Sequence, residues 1–219
     1  DGVRFIEGDI LNDADLTKAF ESDQFDVVFH FAALKAAGES MDEPGKYAHH
    51  NITGSINILN AMVEYDVKKM IFSSSAAVYG YPEYLPIDEN HPTNPVNFYG
   101  FTKLEIERIL KWYSELKGLR FAALRYFNAA GYDMKSRITE MEKNCANLLP
   151  IVMETAAGTR EKVLIFGDNY NTADGTGVRD YIHVNDLATA HIKAMIYLEK
   201  ENKDIIVNLG TGNGYSVFD

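Results

Sequence analysis

Tyr99 and Lys103 stand four apart in "NFYGFTKLEIE" (97–107), at the head of a helical pattern that runs on to Gly118. On a helix, positions i and i+4 share a face, so the phenol and the ammonium point the same way. A free tyrosine has a pKa of about 10 and is a poor base at neutral pH. A nearby cation favours the phenolate. Bringing the pKa near 7 takes about 3 units, or roughly 4 kcal/mol, and one ammonium in a site of low effective dielectric supplies much of that. Alone, this spacing also describes one turn of an ordinary surface helix.

Two further stretches bear on the choice. "FSSSAAVYG" (72–80) puts Ser73, Ser74 and Ser75 where an apolar run stops, and small hydroxyls there read singly as turn formers. "LRYFNAAG" (124–131) puts Tyr126, Phe127 and Asn128 at the end of another apolar run. The joint pattern is the specific one. A serine-ended strand precedes the tyrosine by 24 residues, the tyrosine opens a helix, and the next strand ends "RYFN". Other polar clusters offer less. Asp168, Asp174 and Asp180 recur every six residues, which is not the spacing of a calcium loop. His49 and His50 are adjacent on a helix and diverge, a poor metal pair. His30 and His183 fall in buried-strand patterns and read as core histidines.

The elements that must position these residues alternate. Strand-like runs are Val3–Asp9, Asp26–Ala32, Lys69–Ser75, Arg120–Phe127, Lys162–Gly167 and Asp204–Gly210. Several are apolar almost throughout, which suits strands covered on both faces. Helical patterns lie between them. One starts at Asp13 as N-cap, one at Pro44, and one runs from Phe98 to Gly118; "NLLPIVMETAAG" (147–158) and "VNDLATAHIKAMIYLEKE" (184–201) are two more. Strand then helix, repeated, predicts a doubly wound parallel α/β sheet. Ligands in such sheets bind beyond the strand ends. The two long loops expected there are 80–97, with four of the six prolines, and 128–145.

The bulk numbers are those of a globular chain: 219 residues, 46% apolar, net charge −11. An acidic chain repels nucleic acid and anionic membranes, so neither is an expected partner. Cys145 is the only cysteine, which excludes an internal disulfide and points to a reducing compartment, the cytoplasm. No run reaches the roughly 18 apolar residues of a membrane span.

Beyond the stretches already quoted, "GDI" (8–10), "HFAALKAAGES" (30–40) and "DGTGVRDYIHVNDLA" (174–188) complete a pattern that covers essentially the whole chain. It resembles the extended short-chain dehydrogenase/reductase family, and within it the nucleotide-sugar 4-epimerases. The resemblance implies a Rossmann-type fold, NAD as cofactor and a UDP-hexose as substrate. It implies exchange of UDP-glucose and UDP-galactose at C4 through a 4-keto sugar, and a homodimer. Epimerisation of another UDP sugar, or a non-catalytic NAD-binding relative, are the alternatives. The implied catalytic set is Ser75, Tyr99 and Lys103, with a cationic nicotinamide ring adding to the pull on the Tyr99 proton. Implied cofactor contacts are Asp9, Ile10, Phe31, Ala32, Ala33, Lys35, Asn51, Lys103 and Tyr126. Implied substrate contacts are Ser75, Ala76, Ala77, Tyr126, Phe127, Asn128, Asn147, Leu148, Leu164, Ile165, Phe166 and Arg179, whose guanidinium suits a diphosphate.

Departures from the family pattern also inform. Ala76 and Ala77 stand where related dehydratases carry an Asp-Glu pair, which favours epimerisation over elimination. Ala33 replaces a usual glycine, and Ala146 a usual asparagine. The family's glycine-rich phosphate loop is not found; "GTGNGY" (210–215) is a near miss that reads as a late turn. The expected organisation is therefore residues 1–130 as an incomplete dinucleotide-binding domain and 131–219 as a mixed region with substrate-binding segments. Both belong to a piece of a longer chain, expected neither to fold stably nor to turn over alone.

Overall fold

The computed structural model describes residues 2–138 and 147–219. In chain order its elements are α1 Asp13–Phe20, β1 Val27–His30, α2 Ala37–Asp42, α3 Pro44–Tyr47, α4 Gly54–Glu64, β2 Lys69–Ser75, α5 Phe98–Lys117 and β3 Arg120–Tyr126. Then come β4 Asn128–Ala130, α6 Leu148–Ala156, β5 Tyr181–His183, α7 Val184–Glu201 and β6 Ile205–Leu209. A π-helical turn, Ala48–Thr53, joins α3 to α4, so the helix expected from Pro44 is continuous but locally widened. Two compact units emerge: residues 2–126 with 190–208, and 127–189 with 209–219.

The first unit holds a sheet in the order β1-β2-β3-β6. β1 pairs with β2, and β2 with β3, in parallel; the second register runs from Lys69 opposite Arg120 to Ser75 opposite Tyr126. Side chains alternate across a strand, so each face has its own cover. Met70, Phe72, Phe121 and Ala123 pack against Ile58, Leu59 and Met62 of α4 and Ile106 and Leu110 of α5. Phe29 and Ile71 sit opposite each other in register and face the other way, where the Phe29 ring meets His191 of α7 at 6.3 Å. Helices on both faces of parallel strands give the doubly wound α/β sheet that the sequence predicts.

Two expected strands do not form. Val3–Asp9 has the composition of a strand, yet Val3 and Phe5 are 96% and 87% exposed and no strand is assigned there. A strand exists only with a neighbour that accepts its backbone hydrogen bonds, and none of the described strands pairs with this segment. Lys162–Gly167 fails for the same reason, with Leu164 and Phe166 exposed. Conversely, β4 and β5 form a parallel pair, Asn128 opposite Tyr181, that three-residue runs did not announce. The first helix is capped by Asn12 rather than Asp13: the Asn12 Oδ1 accepts from the Ala14 amide at 2.9 Å.

Candidate active site

The stretch that carries Tyr99 is fixed at both ends. Asn97 caps α5, its Oδ1 accepting from the Gly100 amide at 2.8 Å, and Gly118 ends the helix at φ 68°, where a glycine has no Cβ to clash. Gly100 also sets depth: a Cβ there would lie 2.5 Å from the Ala77 carbonyl oxygen, so only glycine lets α5 approach the turn after β2 this closely. That turn begins at Ser75, whose Oγ accepts from the Ala77 amide at 3.1 Å. The Ser75 hydroxyl also acts on the Tyr99 phenol, drawing its pKa down. One turn along α5, the buried Lys103 Nζ donates to the Ser73 carbonyl at 2.7 Å, 4.8 Å from the Phe72 ring centre and 5.8 Å from that of Tyr99. Tyr126 ends β3 directly beside Ser75 in the sheet register. Ser75, Tyr99, Lys103 and Tyr126 thus converge at the ends of two adjacent strands.

Burial governs the charges here. It pushes the Tyr99 phenol above its usual value, against the opposing pull of the Ser75 hydroxyl. It brings the Lys103 ammonium down to about 7, because a cation loses hydration that one carbonyl hydrogen bond replaces only in part. His30 falls to about 4 through burial and then repulsion from Lys103. The neutral His30 ring pairs with Ser55 Oγ at 2.8 Å, as expected of a core histidine. In the chain as it stands, the lysine therefore titrates near neutrality and the phenol keeps its proton.

A buried polar network holds this geometry. Glu107, one turn beyond Lys103, accepts from Ser74 Oγ at 2.6 Å and from Arg125 Nε and Nη2 at 2.9 and 2.6 Å. Arg125 Nη1 donates to the Tyr79 hydroxyl at 2.8 Å, which donates to Asn208 Oδ1 at 2.7 Å. These buried groups are mutually satisfied and tie β2, α5, β3 and β6 together beneath the reactive side chains. Sequence reasoning missed them; the available signal was a carboxylate four residues from Lys103 on the buried face of α5.

Among the cofactor candidates, Asn51 acts through other residues. It lies on the π turn, fully buried, and its amide oxygen accepts from the Leu34 amide at 2.8 Å. It donates to the Leu34 carbonyl at 3.0 Å and to Thr102 Oγ1 at 3.1 Å. Thr102 in turn donates to the Tyr99 carbonyl at 2.8 Å, so the loop carrying Phe31, Ala32, Ala33 and Lys35 is clamped to the helix of Tyr99. Ser40 Oγ accepts from the Tyr99 amide at 3.0 Å. Asp9 lies before α1, its Oδ1 accepting from the Leu11 amide, and Ile10 packs on the core with its carbonyl held by Asn57. These residues fit a dinucleotide. A buried ammonium that gives one donor to Ser73 keeps others for ribose hydroxyls, and Phe31, 59% exposed, offers an aromatic wall at the end of β1.

The remaining candidates belong to the second unit. Asn128 opens β4, its amide and side chain both donating to the Asp180 carbonyl, at 2.9 and 3.1 Å. Phe127 donates its amide to the Leu209 carbonyl. Arg179 exchanges backbone hydrogen bonds with Tyr215 at 2.8 Å each way. The 210–215 turn is bound by Asp180, which accepts from the Thr211 and Gly212 amides. Asn147 and Leu148 begin α6, and Leu164, Ile165 and Phe166 are exposed. Cys145 and Ala146 lie outside the described residues.

The family description that matches residues 1–210 is the NAD dependent epimerase/dehydratase family. The chain belongs to this family. It is 48% identical to the UDP-glucose 4-epimerase of Halalkalibacterium halodurans over 215 residues, 98% of this chain and 64% of that one. The crystal structure of the Brucella ovis UDP-glucose 4-epimerase in complex with NAD matches with a TM-score of 0.93 and 44% identity, over 98% of this chain and 66% of that one. The Bifidobacterium longum enzyme in complex with NAD+ and UDP matches with a TM-score of 0.94 and 42% identity, over 100% and 66%. The chain thus spans just under two thirds of the length of the curated relatives it matches. Epimerase family membership and the Rossmann-type parallel sheet are as the sequence motifs imply.

Proposed function

We propose that the chain carries the proton-transfer residues of an NAD-dependent UDP-hexose 4-epimerase that interconverts UDP-glucose and UDP-galactose. The observation that carries the reading is the Tyr99 phenol, drawn down in pKa by the Ser75 hydroxyl, beside the buried Lys103 ammonium 5.8 Å from its ring centre. With NAD bound, its cationic ring and the Lys103 ammonium would favour release of the Tyr99 proton to solvent; the resulting phenolate is the general base that takes the proton of the sugar 4-hydroxyl, and the phenol so formed is the acid that returns it. Ser75, which draws the Tyr99 pKa down, steadies the phenolate oxygen until it takes up the sugar proton. Lys103, anchored on Ser73, presents its ammonium to the cofactor ribose and to the phenolate as it forms. NAD, when bound, supplies the hydride acceptor and donor for C4 and a cationic ring. Lys103, Asp9, Ile10, Phe31, Ala32, Ala33, Lys35 and Tyr126 would hold it, with Asn51 fixing their loop.

UDP-sugar contacts are proposed within each unit: Ser75, Ala76, Ala77 and Tyr126 in the first, and Phe127, Asn128, Asn147, Leu148, Leu164, Ile165, Phe166 and Arg179 in the second. Phe101, Trp112 and Leu116, exposed on α5, support a homodimer, and sedimentation of the full-length protein checks it. No described helix is long and apolar enough to cross a membrane. A cytoplasmic location, expected from the single cysteine, belongs to the same proposal, and cell fractionation checks it. The substrate reading is tested with the full-length protein on UDP-galactose and UDP-N-acetylgalactosamine, beside Tyr99→Phe. Turnover of UDP-galactose that Tyr99→Phe abolishes supports it; equal turnover in the variant removes Tyr99 from its role.

A further inference from the structure

The phenol of Tyr126 is held from two sides. The Nε2 of His191 hydrogen-bonds to it, and the Ser73 hydroxyl draws its pKa down from the other side. His191 is a buried imidazole on α7, a helix that covers the face of the sheet opposite α4 and α5. Its neighbours one and two turns on, Ala194 and Leu198, are buried and apolar. An imidazole in such a layer costs free energy unless it is hydrogen-bonded. The same ring lies against the exposed Phe31 at 4.9 Å between centres, tilted by 30°. One side chain on α7 therefore touches both aromatic residues at the ends of β1 and β3.

The phenol has one proton and two partners. Burial pushes Tyr126 up to about 12, so it stays a phenol. When Nε2 is the acceptor, the ring carries its proton on Nδ1. The phenol then donates to His191. The Ser73 carbonyl meanwhile accepts from Lys103. Ser73 on β2 thus stands between the Tyr126 phenol and the lysine on α5.

We propose that His191 is a positioning residue of the candidate site. Its Nε2 fixes the place and the proton direction of the Tyr126 phenol, and its ring face seats Phe31. The role assigned to these two side chains, holding the cofactor, rests on the function proposed above. The hydrogen bond itself does not.

The first test needs no cofactor. In full-length protein with its histidines labelled with nitrogen-15, the His191 Nε2 signal is expected at the position of an unprotonated, hydrogen-bonded nitrogen. His191→Gln identifies that signal by removing it. Tyr126→Phe should shift it to the non-bonded position and leave the other histidine signals in place. An unmoved signal overturns the proposal. The second test uses the holoenzyme. His191→Phe should weaken NAD binding about five- to tenfold, the worth of one hydrogen bond. His191→Gln, which keeps an acceptor, should restore most of it at matched thermal stability. The double variant with Tyr126→Phe should bind NAD no worse than Tyr126→Phe alone. Additive losses, or a glutamine no better than phenylalanine, overturn the proposal. Because the nitrogen shift reads the contact without substrate, its failure is distinct from a failure to epimerise UDP-hexoses.

Discussion

Replacing Lys103 by methionine should make the cofactor-free protein more stable near pH 6, and the advantage should fade as pH rises. The ammonium is buried, with the Phe72 and Tyr99 rings 4.8 and 5.8 Å away, surroundings that suit a thioether. Its pKa falls from 10.5 to about 7 in the folded chain. A drop of about 3.5 units corresponds to roughly 5 kcal/mol, an upper bound for a buried cation. Below pH 7 both folded and unfolded chains hold the proton, and the whole burial cost is present. Between about pH 7 and 10.5 the unfolded chain holds it and the folded chain does not, so stability rises with pH. The thioether of the variant cannot titrate and gives no such slope. Lys103→Met also leaves the Ser73 carbonyl without its donor, which costs about 1–3 kcal/mol at any pH. The net advantage near pH 6 is therefore roughly 2–4 kcal/mol, falling by about 1.4 kcal/mol per pH unit above 7. Urea unfolding of both proteins from pH 6 to 9 reads this difference directly. A difference that stays constant over that range would refute the burial of a titrating ammonium at this position.

Further outcomes follow from the groups around it. Glu107→Gln leaves Arg125 buried without its countercharge and should cost roughly 3–5 kcal/mol, seen as a lowered thermal midpoint. Gly100→Ala drives a methyl into the Ala77 carbonyl and should cost about 1–3 kcal/mol. Gly38→Ala, with nothing within 4 Å, should be neutral or slightly stabilising in the same melts. Asn51→Ala removes three hydrogen bonds and should speed amide exchange at Leu34 while α5 stays protected.

The parts legible in the sequence are those set by local chemistry. Gly118 marks the end of α5 by capping alone, and the apolar runs of β2 and β3 mark strands buried on both faces. Tyr99 and Lys103 could be paired because positions four apart share a helix face, whereas the choice of Ser75 among three serines came from the family resemblance. What the sequence hid depends on partners distant along the chain. Val3–Asp9 reads as a strand until pairing is required of it. Asn51 reads as one residue of a helix; its clamp on Leu34 and Thr102 comes from a π turn with no mark in the sequence. Glu107 looks like a solvated position until Arg125, 18 residues on, is brought against it by the β2–β3 pairing. The pKa order was also out of reach: an ammonium four residues away suggested a lowered phenol, whereas burial raises Tyr99 and lowers Lys103.

In the proposed reaction the C4 hydrogen leaves as a hydride and returns within one turnover, while the hydroxyl proton moves separately. UDP-galactose deuterated at C4, incubated with the full-length protein in ordinary water, follows that hydrogen. The predicted product is UDP-glucose that retains the deuterium at C4. Washout of the label into solvent would instead mean that C4 loses its hydrogen as a proton.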